Sequence, residues 1–280
     1  MSLTPSLSAK FACDRAQRRY RLLVMLLACV IYAYLIIPSL VVIPMSFGGA
    51  GAIEFPPRHF SFYLYREFFT TATWMHPTLQ SLLVAALTSV TSLLVAAPAA
   101  FALVRFEFAG KRTISAFVMS PALVPTIVLA LGMYLYFSVL HIIGTTTALV
   151  LAHTVYVTPF AVVTLAAGIK QLDPAVETAA VVMGAGRLRV LGQVVLPQLV
   201  PSLVAAALFA FLISFDEVVL AYFLTAPQTV TLPVRMYSSI EWGISPVIAA
   251  ISTLLTLLSS AVCLLSVALQ PSTSRDLRNL

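Results

Sequence analysis

Two adjacent carboxylates, Asp216 and Glu217, stand inside an otherwise apolar run, residues 194–224. An ionised carboxylate in hydrocarbon is costly unless it faces protein, a partner or a wet cavity. Counted from Val200 at about 1.5 Å per residue, Asp216 falls about 24 Å along a helix. That places it toward the far part of a hydrocarbon core about 30 Å thick. Such a group can attract a cationic solute. It can equally form a structural pair, for instance with Arg235, or pack against a partner subunit. On one helix the two acids would point about 100° apart, so both cannot face one narrow path equally. The other reactive side chains are scattered. His59, His76, His141 and His153 share no metal-binding spacing. Cys13, Cys29 and Cys263 are odd in number and far apart, which offers neither a metal site nor a disulfide framework. No Ser-His-Asp, H-E-x-x-H or paired-carboxylate arrangement stands out. The chain reads as a non-enzyme with no metal.

The elements that must position these acids are membrane helices. Of 280 residues, 60% are apolar and 9% charged, against roughly 45–50% and about 25% in soluble domains. That excludes a cytosolic enzyme, a nucleic-acid-binding domain and a disordered chain. Continuous apolar runs longer than about 18 residues favour helices over the alternating ten-residue segments of a barrel. The expected fold is all-α and polytopic, with six transmembrane helices at about 22–47, 78–104, 114–140, 145–169, 194–224 and 244–269. Residues 22–270 then form the membrane domain, between a leader at 1–21 and a tail at 271–280. The first apolar run exceeds a signal-peptide core and lacks a cleavage site, so it is expected to be retained. The aromatic stretch 48–77 suits a membrane–water interface, with a short helix. Glu241 and Trp242 would anchor the sixth helix at the same kind of boundary. Pro98, Pro121, Pro125, Pro159, Pro197 and Pro201 mark kinks, some of which could be hinges.

Charge placement orients the spans. With the N-terminus in the cytoplasm, the inner connections carry Lys10, Arg15, Arg18, Arg19, Arg21, Arg105, Lys111, Arg112, Lys170, Arg187, Arg189, Arg275 and Arg278. The outer ones carry only Arg58, Arg66 and Arg235. This bias obeys the positive-inside rule and puts both termini in the cytoplasm.

The connection at 170–197 is unusual. Asp173-Pro174 is a good helix start, because Asp caps free amides and Pro suits the first helical position. Gly184 and Gly186 end or bend that helix, and Pro197 opens the next span. The result is two short helices with a mostly apolar face, including Ala179, Ala180, Val181 and Met183. A loop has no local reason to show such a face to water, so it should dock on something.

This segment resembles the signature loop of binding-protein-dependent ABC importer permeases: Glu-Ala-Ala, three residues, Gly, nine residues, Ile, one residue, Leu-Pro. Ala179, Ala180, Gly184, Leu196 and Pro197 match in register, and Val194 stands for Ile. Thr178 occupies the Glu position, with Glu177 just before it, so one of the two acids common there is kept. Residues 214–255 (SFDEVVLAYFLTAPQTVTLPVRMYSSIEWGISPVIAAISTLL) and 60–69 (FSFYLYREFF) resemble the second permease subunit of spermidine/putrescine importers.

The resemblance implies a type I ABC importer permease fold, in a multi-pass protein of the bacterial cytoplasmic (inner) membrane. It implies that the loop is a coupling helix seated on a separate ABC ATPase dimer, which binds ATP and Mg. It also implies a second, homologous permease chain, an external solute-binding protein, and a polyamine or related cationic amine as solute. Opines, phosphonates and similar small organic solutes are carried by related permeases and remain alternatives, as do an autonomous carrier or channel and a membrane-embedded enzyme. The chain has no G-x-x-x-x-G-K-[ST], so it holds no phosphate-cradling loop of its own. The expected partners are thus proteins and lipid, with no nucleic acid and no cofactor in this chain.

Overall fold

The computed structural model describes residues 7–49, 51, 54–243 and 245–269. The tail at 271–280, residues 1–6 of the leader, and Ile244 lie outside the described residues. The described elements are all helical, as the apolar runs require. By contacts the chain divides into two units, 1–70 with 244–280, and 71–243.

In the first unit, α1 (Leu7–Met45) is one continuous helix. The leader from residue 7 onward is therefore the start of α1. Its apolar stretch Tyr20–Met45 is long enough to cross a bilayer. The first unit also holds α2 (Tyr63–Thr70) and α12 (Val247–Leu269), which packs on both α1 and α2. Ser46 Oγ lies 2.6 Å from the Tyr65 hydroxyl, and Phe47 makes ring contacts with Phe62 and Tyr65. The short helix expected in the aromatic stretch is α2, and it is tied to the end of α1 by these contacts.

The second unit is built on three long helices, α3 (Ala72–Arg105), α6 (Thr146–Gln171) and α9 (Leu196–Asp216), each packed on the other two. Lipid tails are as apolar as leucine, so close approach and interhelical hydrogen bonds must hold such helices together. The buried positions fit that demand. Ala96, Ala100, Ala152, Ala161, Ala206 and Ala210 are all almost fully buried. Thr91 and Thr154 hydroxyls meet at 2.6 Å, and Ser89 donates to the Ala207 carbonyl at 2.9 Å. Gln80 donates to the Thr146 hydroxyl at 2.9 Å. The tightest approach is at Gly168 on α6, where an added Cβ would overlap the Ser202 hydroxyl of α9.

Three spans differ from the sequence expectation. The second begins at Ala72 rather than 78, so Trp74 is buried inside α3 instead of sitting in an interfacial loop. Its ring lies beneath the Arg235 guanidinium, 5.5 Å from the centroid. The third run is two helices, α4 (Lys111–Leu123) and α5 (Thr126–Val139), bent by 102°. Val124 and Pro125 are extended there. Proline disfavours helical backbone at the residue before it and cannot donate to the ladder, which accounts for the break. The fifth run is broken too. α9 stops at Asp216, and a short α10 (Val219–Leu224) follows. Glu241 and Trp242 end a separate helix, α11 (Leu232–Trp242), rather than starting the sixth span. Among the described residues four helices are long and apolar enough to cross a membrane, or five if the bent α4–α5 pair is counted as one span.

The Gly168 contact yields a stability prediction. Gly168→Ala should destabilise the protein by about 1–3 kcal/mol through overpacking. Ser202→Gly in the same chain should recover most of that loss. Thermal melting of the purified protein in detergent checks both. An unchanged melting temperature for Gly168→Ala alone would contradict the close contact.

Candidate functional site: the connecting loop and the interrupted helix

Between α6 and α9 the loop folds as the local sequence dictates. α7 (Pro174–Val182) starts with Asp173, whose carboxylate accepts the Ala175 N–H at 2.8 Å, and with Pro174 at its first position. It stops at Gly184, whose φ is +88°. The Gly184 N–H donates to the Val181 carbonyl at 2.9 Å, and the Ala185 N–H donates to the Ala180 carbonyl at 3.0 Å. This pair of bonds is the Schellman stop, which needs a left-handed residue that glycine supplies at least cost. No atom lies within 4 Å of where a Gly184 Cβ would be. Within the chain, then, the backbone angle and not close packing demands this glycine.

After the turn, α8 (Arg187–Val190) runs into a π-helical turn at Leu191–Val195, and this continues directly into α9. The Leu196 N–H bonds to the Leu191 carbonyl, five residues back. Pro197 explains the widened turn. A proline has no N–H to give, and its ring would collide with the carbonyl four residues earlier. Val195 is buried, Val194 packs against the same apolar cluster, and Leu196 is half exposed at 48%. The Leu-Pro at the end of the motif is thus the seam between loop and span.

The faces of α7 are unequal. Ala180 is buried, whereas Thr178 and Ala179 are exposed. Val182 and Met183 are 81% and 82% exposed, and Leu188 86%. Behind α7 lies an apolar cavity of about 430 Å³ lined by Phe101, Phe106, Glu177, Thr178, Val181, Leu188, Val190, Leu191 and Val195.

Glu177 faces the membrane helices. Its Oε1 accepts from Arg105 Nη2 at 2.6 Å, with the two side chains only 23% and 15% exposed. The same Nη2 donates to the Leu172 carbonyl at 3.1 Å, at the end of α6. Sequence reasoning used Arg105 only as a topological charge. Nothing in its local pattern points to a partner 72 positions away.

The two acids at the other end of α9 do not share a helix, contrary to expectation. Asp216 is the last residue of α9 and is exposed; Glu217 is extended and 9% exposed. The Glu217 Oε1 accepts the Leu220 N–H at 3.0 Å. It thereby satisfies an amide freed by the break between α9 and α10, as buried backbone requires. The two carboxylates differ by role rather than by 100° of helical rotation. Among the described residues Asp216 forms no ion pair, and Arg235 stacks on Trp74 instead of reaching it. Two residues before Asp216, Ser214 Oγ lies 2.8 Å from Nδ1 of the buried His153. That contact ties α6 to α9, and the sequence offered no spacing that would have revealed it. No cluster of three or more His, Cys, Asp or Glu side chains suited to a metal occurs among the described residues.

The site geometry is accompanied by clear relatives. Residues 92–279 match the family described as binding-protein-dependent transport system inner membrane component. The spermidine/putrescine transport system permease protein PotC of Haemophilus influenzae is 30% identical over 237 residues, covering 85% of this chain and 92% of that protein. The putrescine transport system permease protein PotI of Escherichia coli K12 is 29% identical, covering 84% and 85%. A chain of a bacterial ABC transporter that imports the acidic polysaccharide alginate superposes with a TM-score of 0.74 at 16% identity, covering 96% of this chain and all of that one. That superposition shows the shared fold. With residues 92–279 matched by the family and 85% of the chain covered by a relative 30% identical to it, the chain belongs to the binding-protein-dependent transport system inner membrane component family, the membrane permeases of ABC importers.

Proposed function

We propose that this chain is the transmembrane permease subunit of an ATP-driven importer, moving a polyamine or related cationic amine into the cytoplasm. The solute class rests on one observation, the 30% identity to a spermidine/putrescine permease over 85% of the chain. In this reading the protein spans the bacterial inner membrane six times with both termini inside. The bent α4–α5 pair is then the third span and α12 the sixth. It works beside a second permease chain and an external solute-binding protein. It catalyses no reaction itself, and ATP and Mg are bound by a separate ATPase dimer.

The 170–197 loop is the coupling element in this reading. Its exposed Val182 and Met183 form the apolar contact with the ATPase, flanked by Thr178 and Ala179. Glu177, Ala180 and Val194 hold the loop against the membrane helices, and Leu196 and Pro197 carry it into α9. Gly184 sets its turn. Met183→Asp and Gly184→Asp should each strip the ATPase from the purified complex while the permease still inserts. Met183→Asp does so without backbone strain, which separates docking from loop folding. Retention of the ATPase and of coupled uptake in both variants would contradict the docking assignment.

Asp216 is the cation-attracting group in this reading, because it is exposed at the end of α9 where that span is interrupted. Glu217 serves the backbone. Asp216→Asn should therefore lower uptake of spermidine about fivefold, corresponding to about 1 kcal/mol for one solvated charge. Uptake of a neutral solute through the same complex, complex yield and basal ATP hydrolysis should stay unchanged. Glu217→Gln keeps an oxygen acceptor for Leu220 and should have little effect. Equal losses for charged and neutral solutes would contradict the role given to Asp216.

A further inference from the structure

The loop is joined to two of the three core helices through the chain itself, to α6 at Leu172 and to α9 through the π-helical turn. It has no such covalent link to α3. α3 nevertheless ends in Arg105, and that side chain hydrogen-bonds both the end of α6 and the first turn of α7. We propose that Arg105 is a positioning residue that fixes α7 to α3 through Glu177 and the Leu172 carbonyl, so that a pull on the loop moves α3 together with α6 and α9. The inference rests on the reading of the loop as the ATPase-coupling element.

Three features support it. The pair is largely withdrawn from water, where a charge-assisted hydrogen bond is stronger and loss of either member strands the other. Arg105 Nε is also buried without a hydrogen-bond partner among the described residues, a cost that makes the guanidinium depend on the two bonds its Nη2 does form. Finally, Arg105 closes α3 at its C-terminal end, where a cation suits the helix dipole and the last carbonyls. A planar guanidinium serves two acceptors at once. A lysine ammonium offers the charge without that fixed fork.

The same residues explain why Glu177 is the acid retained beside the Ala-Ala pair. Thr178 at the following position is exposed and bonds only to the Pro174 carbonyl within α7. The inward-facing position carries the acid and the outward-facing one does not. The contact with α3 thus accounts for a sequence feature that docking on a partner does not.

The test uses the full complex with its ATPase subunits, in a background where Cys13, Cys29 and Cys263 are replaced by serine. Spin labels are placed on α3 at Leu94, which is 70% exposed, and on α7 at Ala175, also exposed. Their distance is measured without nucleotide and after trapping with ATP and vanadate. The wild type should give one narrow distance that is the same in both states. Arg105→Gln and Glu177→Gln should each broaden it and shift it on trapping, and the double variant should look like either single one. Arg105→Lys should lie between. Spermidine transported per ATP hydrolysed should fall about tenfold in Arg105→Gln, with the ATPase content of the complex unchanged. An Arg105→Gln complex with the wild-type distance would overturn the proposal. So would a wild-type distance that changes on trapping, single-variant effects that multiply in the double variant, or loss of ATPase in step with uptake. Absence of the ATPase from the wild-type complex would instead overturn the coupling-loop reading, and the inference with it. That failure is distinguishable because it is seen before any variant is made.

Discussion

Close approach between α3, α6 and α9 is the constraint on which the rest of the second unit depends. In a hydrocarbon solvent apolar side chains gain little by leaving lipid for a neighbouring helix. The three helices must therefore bring backbones near each other and exchange hydrogen bonds. Gly168 against Ser202, the buried alanines, and the Thr91–Thr154 and Ser89–Ala207 contacts satisfy that demand. Because the packed interface is close, a displacement of one helix is resisted by the other two.

The interruptions of the helices follow the same physics. Each break in the hydrogen-bond ladder frees backbone groups that must be met within the protein. Glu217 meets one at the start of α10. The π-helical turn before Pro197 keeps the chain hydrogen-bonded through a position where an α-helical turn would collide. At the end of α7, the left-handed Gly184 lets two amides bond back across the turn. These three residues, an acid, a proline and a glycine, lie at or beside the positions that the resemblance singled out. Glu217 and Gly184 are explained within this chain by backbone needs and Pro197 by its own ring, before any partner is invoked.

Much of this was legible in the sequence. Apolar run lengths gave the helical class, and Asp173-Pro174 and Gly184 marked the start and stop of α7 correctly because capping is a local effect. Pro125 marks a kink in the sequence but not the 102° bend that divides α4 from α5, and run length could not show that α9 stops at Asp216, because the interruption is short and the run stays apolar apart from Asp216 and Glu217. The separation of roles between Asp216 and Glu217 was also hidden. It depends on where the helix ends, and adjacent residues on a continuous helix would have behaved differently. Arg105–Glu177 and His153–Ser214 join residues 72 and 61 positions apart. Such pairs are set by the packing of the long helices and leave no trace in the spacing of either partner.

The central claim is that the exposed end of α7 touches a separate ATPase. Site-specific cross-linking addresses it most directly. A cysteine at Val182, which is 81% exposed, in a background without Cys13, Cys29 and Cys263, is paired in turn with single cysteines on the co-expressed ATPase. A cysteine at Tyr237 on α11 serves as the comparison. The account predicts a short-linker adduct between position 182 and the ATPase whose yield changes when ATP is added, and none from position 237. An ATPase that cross-links equally to both positions, or to neither in a complex that contains it, would contradict the account.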